Sequence, residues 1–427
     1  VDSGNLAGHL LAVANMCRQW CQHLAPTAER LEGLDDVLAI LREELARLLT
    51  GQREHVARHK QLRTMFDAFT AGVEAARAAP EMLAARLTAL AMQASSIADL
   101  TTLAVRDAEP AAAENVRHWA SALRQTVEQH FAEASLDTQV MAELTKRLTA
   151  AADDATAMAL AMQFGFLSDP RRNLMSIGYR VTEHALDESC YDMLASEAAL
   201  ASYLAIAKGD LPARHWFRLG RPVTAVNGRA ALVSWSGSMF EYIMPAIVLD
   251  PPSASLIDQT IRLVVQQQIA YGNKLGVPWG ISESAFSARD RNLTYQYSNF
   301  GVPGLGLKRG LAANVVVAPY ATALASMFAP QEAAANLRTL HGAGARGSYG
   351  FYESVDYTPA RLPEGDTHVV VKAYFAHHQG MTITAILNTV LGHRIRNSFH
   401  EENIVRAAEL LLQERAPEEV PVPLAGI

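Results

Sequence analysis

Four short segments set acids among aromatic or small residues: Glu241 in SWSGSMFEYIMP, Glu283 in PWGISESAF, Glu353 with Asp356 in YGFYESVDYTP, and Glu197 in ESCYDMLASEAALASYLA. No lysine or arginine falls within four positions of Glu283 to pair with it. Glu197 is expected on a helix beside Leu194, Ala195, Ala198, Ala201 and Leu204, which would turn it toward an interior or a cleft. Burial there raises a carboxyl's proton affinity. One such acid is ordinarily a helix cap, a hydrogen-bond acceptor for backbone or the partner of a distant arginine. Several together, among Trp235, Tyr242, Trp279, Phe286, Tyr295, Tyr297, Phe300, Tyr349, Phe351, Tyr352 and Tyr357, point to sugar chemistry. Glycosidic cleavage needs one acid to protonate the leaving oxygen and a second carboxylate as nucleophile or base. Aromatic faces stack on the apolar CH faces of pyranose rings.

Other motifs carry less. Gly304, Gly306 and Gly310 in GVPGLGLKRG are spaced GxGxxxG, without a Walker lysine pattern or a preceding βα unit, so a tight loop bringing backbone close to a ligand is expected rather than a phosphate cradle. His377 and His378 in AHHQGM lack an HxxxH pattern or a carboxylate at ligand spacing. With Gln379 they are expected to hydrogen-bond substrate hydroxyls, or simply to enter a helix. Ser236, Ser238 and Ser282 lack the G-x-S-x-G elbow of a serine hydrolase. No metal and no cofactor are expected.

These residues need elements to position them. Residues 1 to about 165 are alanine- and leucine-rich with the i, i+3, i+4 apolar spacing of amphipathic helices, and Pro26, Pro80 and Pro110 sit where helices should begin. From SDPRRNLMSIGYR onward glycine, proline, tryptophan and tyrosine increase. PVTAVNGRAALVSW reads as a hairpin turning at Asn227-Gly228, and helices are expected at about 187–208, 211–219, 237–248, 254–275, 319–343, 379–391 and 401–413. Helices separated by long loops rich in glycine and aromatics suit a mainly α fold, a helical toroid whose loops build one concave face. The net charge of −7 over 427 residues carries no basic block, which argues against nucleic acid or an anionic membrane surface as partner. Three cysteines, Cys17, Cys21 and Cys190, read as reduced thiols. No apolar run is long enough to span a bilayer, so no membrane insertion of this segment is expected. A start at Val1-Asp2-Ser3-Gly4, without methionine, suggests a domain of a longer protein.

VDSGNLAGHLLA, LASEA, LVSWSGSMFEYIMP, GVPWGISESAFSARDRNLTYQYSNFGVPGLGLKRGL, APYATALA, YGFYESVDYTPARLPEG and AHHQGM resemble the central glycoamylase-like domain of cyclic β-1,2-glucan synthases. The resemblance runs through 165 to 427 and the first dozen residues. It departs from the family pattern at Cys190-Tyr191, where a tyrosine pair is usual, and at Ala199, where an arginine is usual.

The resemblance implies an (α/α)6 toroid at 166–427 with an added helical region at 1–165, packed as one unit. It implies a retaining transglycosylase that closes linear β-1,2-glucan into a ring through a covalent glycosyl-enzyme, with Glu283 as nucleophile and Glu197 as acid/base. A plain endo-β-1,2-glucanase and a non-catalytic glucan-holding module are the alternatives. Substrate contacts are expected from Asp2, Trp235, Glu241, Tyr242, Trp279, Phe286, Tyr295, Tyr297, Tyr352, Glu353, Asp356, Tyr357, His377, His378 and Gln379. In the longer chain, a glycosyltransferase part and a phosphorylase-like part would flank this domain at the cytoplasmic face of a bacterial inner membrane.

Overall fold

The computed structural model describes residues 1–22, 31–49, 56–134, 138–347 and 349–416. Its helices are α1 (Asp2–Gln22), α2 (Glu32–Leu49), α3 (Val56–Ala78), α4 (Leu83–Ala104), α5 (Pro110–Ala134), α6 (Thr138–Ala161), α7 (Ala199–Ala207), α8 (Arg214–Arg218), α9 (Met239–Ile243), α10 (Leu256–Leu275), α11 (Pro319–Ala325), α12 (Pro330–Gly342), α13 (Ala376–Val390), α14 (Arg394–His400) and α15 (Asn403–Ala408). Two compact units result, one of Val1–Gln19 with Thr149–Ile427 and one of Trp20–Leu148. The expected division near 165 is therefore displaced, because both the start of α1 and the end of α6 belong with the larger unit.

The smaller unit follows from apolar periodicity. Leu34, Leu38, Leu41 and Leu45 line one face of α2 and join Phe66, Phe69 and Val73 of α3, Leu87, Leu90 and Ile97 of α4, and Val116, Leu123 and Val127 of α5 in one buried core. Pro80 opens the short turn into α4 and Pro110 opens α5, where a missing N–H leaves no helical bond unmade. Pro26 lies outside the described residues.

In the larger unit α7 and α11 are buried almost all round. Such helices must be enclosed by other elements. α10 and α12 bury only one face and α9, α11 and α13 neighbour one another in turn, each backed by the helix that follows it. This alternation of inner and outer helices gives the mainly α, toroidal class of fold expected. The start of α1 packs on α7 through Gly4: a Cβ there would stand 2.4 Å from the Cβ of Ala201.

Short antiparallel pairs stiffen the loops. Val223–Val226 pairs with Arg229–Leu232 around Asn227 and Gly228, both at positive φ, which is the turn anticipated. Ser284–Arg289 pairs with Tyr295–Ser298, and Val316–Val317, Ser354–Asp356 and Val369–Val371 form a three-stranded sheet. The helix expected from about 187 begins only at Ala199. Before it Cys190–Tyr191 is committed to a strand with Met175–Ser176, and Glu197 lies in the turn that leads into α7. The glycine loop GVPGLGLKRG packs on another loop: a Cβ on Gly306 would fall 2.5 Å from the Ser236 carbonyl carbon.

Gly4→Ala is expected to destabilise the larger unit by about 1–3 kcal/mol in chemical denaturation, because the added methyl overpacks the contact of α1 with α7. Gly342→Ala, where a Cβ would meet nothing within 4 Å, should leave it nearly unchanged.

Candidate active site

The starts of four helices converge on a cavity of about 740 Å³. Asp2, Asn5 and His9 reach it from α1, Glu197 from the turn before α7, Phe240 from α9 and His377 from the first turn of α13. Glu283 enters from the loop that precedes the strand Ser284–Arg289. Glu197 and Glu283, the two acids expected to react, thus share one cavity.

Their electrostatics are alike in sign and unlike in support. Burial pushes the Glu197 carboxyl above its ordinary range; a backbone hydrogen bond opposes this, and the charges of Glu241 and Glu283 reinforce it. Its side-chain partner is the Ser196 hydroxyl at 3.4 Å. Burial also raises Glu283, against which Tyr297, His378 and Lys308 act. Two carboxyls in one cavity disfavour double ionisation, so such a pair holds one proton more readily than two separate acids would. Burial and the charges of Glu197, Asp2 and Glu283 push the Tyr191 phenol up to about 12, so it stays a hydroxyl at neutral pH.

A tyrosine, not a cation, meets the lone acid of PWGISESAF. Tyr297 donates to Glu283 Oε1 at 2.9 Å, and Tyr320 donates to the Glu283 carbonyl at 2.8 Å. Ser282 bridges Tyr320 (2.9 Å) and the Phe240 N–H (3.0 Å). Behind Tyr297 stands His378, whose ring stacks on Tyr320 at 3.8 Å and whose Nδ1 lies 2.9 Å from both oxygens of Glu353.

Several residues expected to touch substrate have partners within the fold, as a buried polar group needs. Glu241 closes the capping box of α9 with Ser238 and accepts from the hydroxyls of Ser234 and Ser236, both at 2.7 Å. Asp356 is held by Arg361 at 2.7 Å and by the Ser287 and Thr358 N–H groups. Glu353 is buried against His378, Tyr242 bridges the carbonyls of Leu232 and Leu305, and buried Trp279 is pinned through its backbone by Asn336. Phe286 lies edge-on to Phe300 beneath Arg361, Tyr295 under Arg289, and Tyr357 beside His368. Tyr352 packs on Tyr374, and Gln379 donates to the Phe351 carbonyl. Trp235 is exposed and does not line the cavity.

Asn5, His9, Tyr191, Phe240, Lys308 and Tyr320 were not anticipated. Asp2, Asn5 and His9 recur at i, i+3 and i+7 in the first half of α1, among mostly small and apolar residues, a signal present in the sequence. Lys308 and Tyr320 carry no such local mark. Among the described residues no group of three acidic, histidine or cysteine side chains is placed to hold a metal ion.

Residues 189–403, half of the chain, match the Glycoamylase family, described as putative glucoamylase, and the chain belongs to that family. It is 48% identical over 432 residues to the cyclic β-(1,2)-glucan synthase NdvB of Rhizobium meliloti (strain 1021), an alignment that covers 100% of this chain and 15% of that protein. The chain therefore spans about a seventh of that relative's length. Similar solved structures include an endo-β-1,2-glucanase from Talaromyces funiculosus with sophorose, at 13% identity and a TM-score of 0.45, covering 72% of this chain and 67% of that one. A mutant of that enzyme with β-1,2-glucan is 13% identical with a TM-score of 0.42, covering 81% and 79%.

Glu197→Gln should expose the effect of burial on stability. The folded state binds the Glu197 proton more tightly than the unfolded chain, so the native protein loses stability relative to the variant as pH rises from about the ordinary 4.5 through the higher folded value. Calorimetry should show the Tm advantage of Glu197→Gln growing with pH across that window and then levelling; a constant difference would remove burial as the cause.

Proposed function

We propose that this chain is a glycoside hydrolase-type transglycosylase that cuts linear β-1,2-glucan and passes the cut end to the chain's own non-reducing end, closing a ring. The observation that carries this reading is that Glu197 and Glu283 line one cavity, both with proton affinity raised by burial. The similarity to a cyclic β-(1,2)-glucan synthase supports the substrate and the direction of the reaction.

In such a reaction one carboxyl gives its proton to the glycosidic oxygen while the other carboxylate attacks the anomeric carbon, leaving a covalent glycosyl-enzyme. The first carboxylate then takes the proton of the incoming 2-hydroxyl as that oxygen displaces the enzyme. Ring closure and hydrolysis share every step but the last, in which water replaces the sugar hydroxyl. We assign contacts with sugar hydroxyls to the Tyr191 hydroxyl and to Asp2, Asn5 and His9 of α1, which line the same cavity.

In the full-length protein we place this domain between a glycosyltransferase part and a phosphorylase-like part on the cytoplasmic face of the inner membrane. No described helix here is long and apolar enough to cross a bilayer.

Mass spectrometry of the products formed from linear β-1,2-glucan, without nucleotide sugar, tests the reaction. Rings lighter than the corresponding linear chains by one water are expected; short linear oligomers alone would make the domain an endo-glucanase, and no product a holding module. Glu197→Gln and Glu283→Gln should each lower turnover by about 10²–10⁴-fold or more while glucan binding is kept. Azide added to the two Glu→Gly variants assigns the roles: a β-glycosyl azide marks the acid/base and an α-glycosyl azide the nucleophile.

A further inference from the structure

A buried line of hydrogen-bonding groups runs away from Glu283. Glu353, 2% exposed, accepts from the Ala285 N–H at 3.1 Å and faces His378 Nδ1 with both oxygens at 2.9 Å. His378, 1% exposed, lies flat on Tyr320, and its Nε2 is 3.4 Å from the Tyr297 hydroxyl, which is 2.9 Å from Glu283 Oε1. Four segments distant in sequence supply these groups.

For one fixed set of three protons shared by Glu283, Tyr297 and His378, the line admits two hydrogen-bonded arrangements. Glu353 reserves the Nδ1–H of His378 in both. With Glu283 ionised, His378 Nε2–H donates to the Tyr297 oxygen and the Tyr297 O–H donates to Glu283. With Glu283 protonated, its O–H donates to the Tyr297 oxygen and the Tyr297 O–H donates to a bare Nε2. The two differ by one proton passing from Glu283 to Tyr297 as another passes from Tyr297 to His378. A carboxylic acid and a neutral imidazole become a carboxylate and an imidazolium, and atoms and charge balance.

We propose that His378 is the proton partner of Glu283, exchanging through Tyr297, and that Glu353 is the positioning residue that holds the ring in the required tautomer. This deepens the reading of Glu283 as one of the two reacting carboxyls and rests on it. The other titratable groups around this line are Lys308, Glu241, Glu197, Tyr320 and Tyr191 near Glu283, and His377, which lines the same cavity and whose ring centre lies 4.0 Å from that of His378. Lys308 is engaged by the carbonyl of Asn299 at 2.8 Å, and Tyr320 by the backbone carbonyl of Glu283.

The titration of Glu283 can be followed without turnover, as the Tm difference between the native protein and Glu283→Gln against pH. Because burial raises Glu283, that difference grows as pH rises through its folded titration. In a Tyr297→Phe background the donor to the ionised form is gone, so the window is expected at higher pH. Tyr297→Phe and Glu353→Gln should lower kcat by roughly 10–100-fold, the loss of a hydrogen bond to a charged group, with KM little changed and the acid limb of the pH profile moved upward. A window and a limb that stay in place would overturn the proposal, however far the rate falls. If Tyr297→Phe does not fold, Glu353→Gln preserves the shape of the site and is judged by the same two readouts. Native turnover by Glu283→Gln would overturn the functional reading instead, and the Tm window would still judge the proton line.

Discussion

A carboxyl taken out of water must either be met by donors or hold its proton, and that constraint sorts the acids of this protein. Glu241 and Asp356 are met by serine hydroxyls, backbone N–H groups and an arginine, and they serve as parts of the framework. Glu353 is met by a histidine and a backbone N–H. At Glu197 and Glu283, which line the cavity, burial outweighs the hydrogen bonds that reach them, and their proton affinity rises. Acids that look alike in sequence divide into structural and chemical ones by what the fold places against them.

The framework acids hold the chain on either side of the cavity acids. Glu241 ties the Ser234–Ser238 loop to the start of α9, which brings Phe240 to the cavity and sets its N–H on Ser282, next to Glu283. Asp356 and Glu353 anchor the strand carrying Ala285 and Ser287 through backbone N–H groups, so the chain immediately after Glu283 is held by two buried carboxylates. Tyr320, on a helix buried all round, donates its hydroxyl to the Glu283 carbonyl. A side chain whose backbone is held this way loses little freedom on meeting a substrate, as a reacting group requires.

Close backbone approach is the second requirement, and glycine supplies it where it is needed. Gly4 lets α1 lie against α7, so that Asp2 and Asn5 stand beside Glu197 in one cavity. Gly306 lets its loop rest on the Ser236–Gly237 backbone. Aromatic residues follow the same economy of space. Most of the rings that seemed free to stack on sugars are packed on one another or under arginines, because a large ring without a partner would leave apolar area in water.

Local features were legible from the residues alone: the amphipathic helices, the Asn227-Gly228 turn, the helix starts at Pro80 and Pro110, and the presence of acids without nearby cations. Each depends on neighbours a few positions away, which periodicity and turn chemistry report. The long motifs also carried the family, and the pair Glu197 and Glu283 came with them. The start of α7 is not legible locally because Cys190–Tyr191 pairs with the strand at Met175–Ser176, across an intervening loop whose closure no helical period reports. For the same reason only the tertiary structure decided which acids face the cavity and which are saturated by donors. It alone brought Lys308 and Tyr320 to the site and set His378 between Glu353 and Tyr297, because those neighbours come from segments that meet only when the helices close around them.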